Sequence, residues 1–496
     1  MPKTHLRRIA FDPDEAWLPW RPTANDPWGS KWAAHLYRRA TFGPSPEEIE
    51  EAKRIGVQGT LDLLLQGKPD QEDWRKTLDD VGRVAAEMDE DGGDLRGWWV
   101  YTMLESAHPL REKLTLFWHG HFATSLVKVQ SPPLMFEQNR LLREHALGRF
   151  GPILHAISRD AAMMIWLDSS SNIKGSPNEN YARELMELFS LGVGHYDEHD
   201  VREAARAFTG WRPDSSGRFA FDPRLHDDGT KKVLGQAGRW NGDDVVNLVL
   251  DQPATARFLA RKLYRFFINE HVDPPDAMLE PLCESFRQGG YDIGGLVRTM
   301  LASRLFYSDH AFRQRIKGPV EYALGALRAL YRKESKGNAD FKPLAHHDLA
   351  AHIGAMGQVL FAPPNVKGWP GGPSWLNTST LLERSNFTEA LVSGRFAHPL
   401  GAAASESSTP SDHPVENAKP AHAFDPARML GELKQPSPEE IVTVLLDLYL
   451  PGGTRPSARD KLVEYLAEGA PNGPELAQRV REAVHAILNL AEYQLA

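Results

Sequence analysis

The sequence predicts an all-α protein: a multi-helix globular body with one small β-hairpin excursion and a C-terminal helical unit. Three observations carry that reading. Apolar residues recur at helical spacing through most of the 496 residues. Helix-opening signals repeat, because Ser45-Pro-Glu-Glu and Ser437-Pro-Glu-Glu each place Ser at the N-cap, Pro at the first helical position and acids in the first turn. Strand signals are confined to one place, where Arg218–Asp222 faces Lys231–Leu234 across the polar turn Leu225–Thr230.

Taken in order, a first helix begins near Trp32 and ends at the turn Phe42-Gly-Pro-Ser, and Ser45 opens the next. Helical patterns then cover roughly 57–66, 71–90, 95–107, 109–120, 134–147, 178–191, 199–209, 243–250, 253–270, 276–289, 293–303, 318–333 and 347–359. From 399 to 436 the composition shifts to Ala, Ser, Pro, Glu and His, as in a linker or long surface loop. The expected organisation is an N-terminal extension at 1–29, a main helical lobe carrying the site at 30–398, that linker, and a C-terminal helical unit at 437–496. A chain this long exceeds one ordinary core, so several lobes are expected.

Composition excludes several classes. Hydrophobic content of 41% and charged content of 25% suit a globular protein in water. A net charge of −9 disfavours nucleic-acid or anionic-membrane partners, which want basic surfaces. The single cysteine, Cys283, rules out an intrachain disulfide and thiolate metal cages. Any metal site must therefore use His, Asp and Glu. No window of about 18 apolar residues predicts a membrane span. The N-terminus lacks the apolar core of a leader, so the expected location is cytoplasmic as written, or extracytoplasmic if a leader has been removed.

The stretch Asn180–Ser190 is the most informative. Read as a helix, Asn180, Arg183, Glu184 and Glu187 fall at i, i+3, i+4 and i+7, on one narrow face. Tyr181, Ala182, Leu185, Met186, Leu188 and Phe189 surround that face, which predicts a buried helix. Buried charges need partners, a metal or a ligand. Glu187 and Glu184 are candidate acid/base groups, Arg183 a candidate anchor for an anionic group, and Asn180 a candidate substrate contact. The structural alternative pairs Arg183 with Glu187, and Glu184 with Arg202 or Arg206.

Three further clusters bear on chemistry. His119 and His121 flank Gly120; an extended segment would put both imidazoles on one side, whereas a continuous helix would turn them about 200° apart. His226 and Asp227 lie on a turn and offer a metal ligand or proton relay, or else ordinary turn chemistry. The loop Pro363–Trp375 is too rich in Pro and Gly for regular structure. Its Asn365, Lys367 and Trp369 suit polar, anionic and sugar-like groups, unless the tryptophans simply pack on the core.

Several phrases together carry a family likeness: Arg39–Pro44, Leu110–Ser125, Asn180–Gly194, Asp200–Trp211, His226–Lys231, Pro363–Gly372 and Ala491–Leu495. The chain resembles the large bacterial family called domain of unknown function 1800. That resemblance implies no activity and no catalytic residues. It does imply that members often carry a secretion leader, which is not visible here. Their genes often sit beside a second uncharacterised family, similar to the alkaline phosphatase and sulfatase superfamily.

The expected function is a metal-assisted hydrolase or lyase acting on a polar polymer such as a glycan. His119 and His121 would hold a divalent metal, joined by Glu184 or by His226 and Asp227, with Glu187 as acid/base. Two other classes stay open. One is a non-catalytic assembly or scaffold protein partnering the phosphatase/sulfatase-like neighbour. The other is a mononuclear iron oxygenase with a two-His, one-carboxylate triad.

Overall fold

A computed structural model describes residues 12–68, 72–330, 343–393 and 436–496. Helices dominate, and among the described residues the named strands form two separate two-stranded ladders. The all-α class is therefore correct. The expected linker at 399–436 lies outside the described residues but for its last position. No described helix is long and apolar enough to cross a membrane.

Caps set the helix starts. Ser45 accepts a hydrogen bond from the Glu48 amide while the Glu48 carboxylate accepts from the Ser45 amide, opening Pro46–Gln66. Ser437 and Glu440 do the same for Pro438–Tyr449. The pattern expected at 57–66 is the second half of the longer helix Pro46–Gln66, which kinks at Gly56, where φ is +74°. Phe150–Ser158, Ala161–Trp166 and Thr378–Val392 are helices beyond those expected. The first two are short, and Ala161–Met164 is buried, so they lack the polar face that makes helical periodicity visible.

The hairpin differs from the expected one. Phe219–Phe221 pairs with Trp211–Pro213, and Lys231–Val233 pairs with Gln236–Gly238. The Asp214 carboxylate gathers the Ser216 and Arg218 amides and closes the first turn. Leu234 and Gly235, with φ of +49° and +80°, make the second. Each strand thus returns on its nearest neighbour.

Two apolar cores lie side by side. Trp118, Phe122, Phe150, Phe189 and Tyr264 belong to one, and Trp98, Trp99, Tyr322, Phe387 and Tyr493 to the other. The helix Pro109–His121 feeds both, giving Leu114 and Trp118 to the first and Leu116 to the second. The C-terminal helices pack back on the body, with Val480, Val484 and Ile487 joining the second core. At the other end, Trp20 stacks on Tyr307 at 4.5 Å and joins the first core, so residues just before 29 are part of the packed body.

Charges are buried where these segments meet. Glu321 accepts from Lys113 Nζ, from Arg315 Nη1 at 3.2 Å and from the Gly318 amide at 2.8 Å. Burial alone would push its carboxyl up, but Arg315 and Lys113 outweigh that and hold it well below the usual range. Lys113, fully buried, is pushed down to about 8. On the same helix, Glu112 is clasped by Arg143 Nε at 2.8 and 3.0 Å.

Removing one partner strands the others without water. Glu321→Ala is therefore expected to lower the unfolding free energy by about 3–5 kcal/mol, read by denaturant titration. A loss below about 1 kcal/mol would show that Lys113 and Arg315 do not depend on it.

Candidate functional site

The polar stripe begins on the short helix Asn180–Glu184, which runs into a π-helical turn at Leu185–Ser190. The Leu191 and Gly192 amides both donate to the Met186 carbonyl at 2.9 Å. Wider turns of this kind recur at functional sites. They also break the 3.6-residue spacing on which the four-residue stripe was read. The expected burial is corrected too: Asn180 is exposed, and Arg183, Glu184 and Glu187 lie at the protein boundary.

Arg183 does not pair with Glu187. Its guanidinium donates to both Glu198 oxygens at 2.7 and 2.8 Å, and to Glu179 at 2.9 Å. That leaves the two glutamates free of a direct ion pair. Glu187 accepts from the Tyr196 hydroxyl at 3.1 Å. Burial and then the Glu187 charge push the Glu184 carboxyl up, against the opposing pull of Arg183 and Lys367. Burial and the Glu187 bond push the Tyr196 phenol up to about 12, so it stays a donor. Asn180 donates to Asp168 at 3.4 Å.

The Pro/Gly loop reaches this site from the far end of the sequence. Gly368, with φ of +80°, lies so close to the end of Pro109–His121 that a Cβ would fall 2.2 Å from the Gly120 carbonyl oxygen. This places the exposed Lys367 where its charge acts on Glu184. Asn365 holds the loop, its side-chain oxygen accepting the Lys367 amide at 2.9 Å. Trp369 lies against His119, with ring centroids 5.5 Å apart. It packs, partly buried, against the second core.

The expected metal ligands do not assemble. Pro109–His121 is a continuous helix despite Gly120, so His119 and His121 point apart. His121 has both ring nitrogens engaged, Nε2 at 3.0 Å from the Phe189 carbonyl and Nδ1 at 3.0 Å from Lys262 Nζ. Burial, and then Lys262, holds its pKa well below the ordinary value. His119 is boxed by Trp99, Phe361 and Trp369, and burial lowers it to about 3. Among the described residues its Nε2 has no hydrogen-bond partner.

His226 Nδ1 rests 2.9 Å from the Thr209 carbonyl. Asp227 is held by Arg206 at 2.8 and 3.2 Å, which brings its carboxyl down to about 2. Among the described residues no group of two His and one carboxylate comes together. Among the described residues, Asp197, His199 and Asp200 are the ones whose ligand atoms come within 4.8 Å of one another. They border an open cleft of about 560 Å³ with His195, Lys232 and Gln252. Asp197 and Asp200 form the capping box of Glu198–Ala207, and Asp200 also accepts the Leu234 amide at 2.7 Å. Sequence reasoning passed over Tyr196 and Glu198; only the Asp197-x-x-Asp200 cap was legible there.

A family model described as a protein of unknown function, DUF1800, matches residues 35–495. No curated protein and no solved structure matches the chain.

The two histidines should respond differently to substitution. His121→Phe removes one of the two acceptors of the buried Lys262 ammonium, leaving the Leu188 carbonyl at 3.1 Å, and is expected to cost about 1–3 kcal/mol of stability. His119→Phe removes a group without partners, so its cost is expected to stay below about 1 kcal/mol. Urea unfolding of both variants checks this; a larger loss for His119→Phe would contradict the packing role.

Proposed function

The chain belongs to the DUF1800 family, and we propose that it is a hydrolase of a polar polymer, a glycan, working through a carboxylate pair without a metal at His119 and His121. Glu184 serves as the general acid and Glu187 as its carboxylate partner. The observation that supports this reading is the contrast between their settings. Glu184 is held toward its protonated form by burial and by its neighbour's charge. Glu187 accepts a hydrogen bond from Tyr196. Two carboxyl groups in unlike environments are the usual division between a proton donor and its ionised partner.

In the proposed reaction, Glu184 donates its proton to the leaving glycosidic oxygen. Glu187 meets the developing positive charge on the sugar, or activates water. Lys367 offers an exposed ammonium beside Glu184, which favours a polymer carrying negative groups. Arg183 holds the loop through Glu198 in place of binding substrate.

A scaffold role beside a phosphatase/sulfatase-like partner is the second reading. It is favoured by the closed ion pairs of Arg183 and Arg206. Release of reducing ends from polygalacturonate and from neutral xylan separates the two. A hydrolase is expected to cleave the anionic polymer in the presence of EDTA, and to lose roughly 100-fold or more of kcat/KM in Glu184→Gln. Its rate should fall as pH rises through the Glu184 pKa, because the acid must carry its proton. An unchanged rate in Glu184→Gln, or no cleavage of either polymer, would overturn the proposal.

A further inference from the structure

Two of the phrases that carried the family likeness lie at opposite ends of the chain, Arg39–Pro44 and Ala491–Leu495. They meet in the fold. Phe42, Gly43, Pro44 and Tyr493 line one cavity, together with Arg38, Lys317, Glu321 and Tyr449. None of these groups belongs to the carboxylate site.

The polar groups around this cavity are under-used. Lys317 is 4% exposed, and among the described residues its Nζ has no hydrogen-bond acceptor. The ammonium lies instead 3.4 Å from the centre of the Tyr493 ring. Arg38 makes one side-chain hydrogen bond, from Nη2 to the Tyr449 carbonyl at 2.7 Å. The hydroxyls of Tyr449 and Tyr493 are buried and, among the described residues, have no hydrogen-bond partner. Unpaired buried donors of this kind are rare in folded proteins.

Charge points the same way. Lys317 feels the cations of Arg38, Arg384 and Arg313 against one carboxylate, Glu321. Glu321 is already shared between Lys113 and Arg315. Arg384 has its own partners, Gln494 and the Lys317 carbonyl, both at 2.8 Å. The region is therefore cationic and short of acceptors. Burial and the neighbouring cations push Lys317 well below its ordinary value, a bias that a bound negative charge would reverse.

Size selects the occupant. The space open to the centre of a water-sized sphere is about 10 Å³, enough for one small guest. Phosphate, sulfate or an organic acid is too large. We propose that this cavity binds a single halide-class anion, chloride above all, held by Lys317 and Arg38 with the two tyrosine hydroxyls as further donors. The anion would tie the first motif to the last by supplying the missing acceptor at their junction.

Thermal unfolding in 150 mM sodium chloride, bromide and gluconate, at one pH and ionic strength, tests this. A ligand that binds only the folded state raises its melting point. The halides are expected to raise Tm by roughly 1–3 °C over gluconate, and Lys317→Met to abolish the difference. If that variant fails to fold, bromide-soaked crystals of the wild-type protein decide. An anomalous peak between Lys317 and Arg38 supports the site. Equal melting in all three salts, or a water in place of bromide, overturns it.

Discussion

One buried carboxylate constrains how the two cores meet. Glu321 lies at the start of the Pro319–Leu330 helix and faces Lys113 on the helix shared by both cores. It also faces Arg315, whose carbonyl accepts the Ala496 amide at 2.8 Å. Lys113 in turn donates to the Thr41 carbonyl at 2.8 Å, at the end of Ser30–Ala40. Segments from the beginning, middle and end of the chain therefore converge on one negative charge. Such a cluster is tolerated in a dry interior only when nearly every member is paired. This fixes the relative placement of the helices more narrowly than apolar packing does, since apolar surfaces tolerate sliding and directed hydrogen bonds do not.

Against that background the charges divide by how they are satisfied. Glu112 with Arg143, Asp227 with Arg206, and Arg183 with Glu179 and Glu198 are closed pairs, and they read as architecture. Glu184 and Glu187 differ, since among the described residues neither has a cation within ion-pair distance, and burial disfavours ionisation of Glu184. These two lie at the surface of a π-helical turn, where the charge of Glu187 acts on Glu184. That contrast, more than any motif, is why the proposed chemistry rests on them.

Much of the fold was legible in the sequence because its determinants are local. The Ser45 and Ser437 caps and the helical periodicity depend on residues within a turn or two of one another. The candidate site was legible only in part. The stripe assumed regular helix and full burial, and the π-turn and the boundary position changed both. His119-x-His121 looked like a ligand pair because sequence does not reveal whether Gly120 breaks a helix. The partner that occupies His121 is Lys262, 141 residues away. Trp369 met His119 for an equally non-local reason, the close passage of Gly368 over Gly120. The excess of buried cations near Lys317 was invisible for the same cause, since the ends that create it meet only in three dimensions.

The central claim is that its surroundings bias Glu184 toward its protonated form, and its titration can be followed without knowing any substrate. Carbon-13 NMR of protein labelled at the glutamate carboxyl carbon, assigned with Glu184→Gln, gives its pKa directly. The account predicts a value above the ordinary 4.5, falling when Glu187→Gln removes the neighbouring charge. A Glu184 that titrates at or below 4.5, indifferent to Glu187, would contradict it.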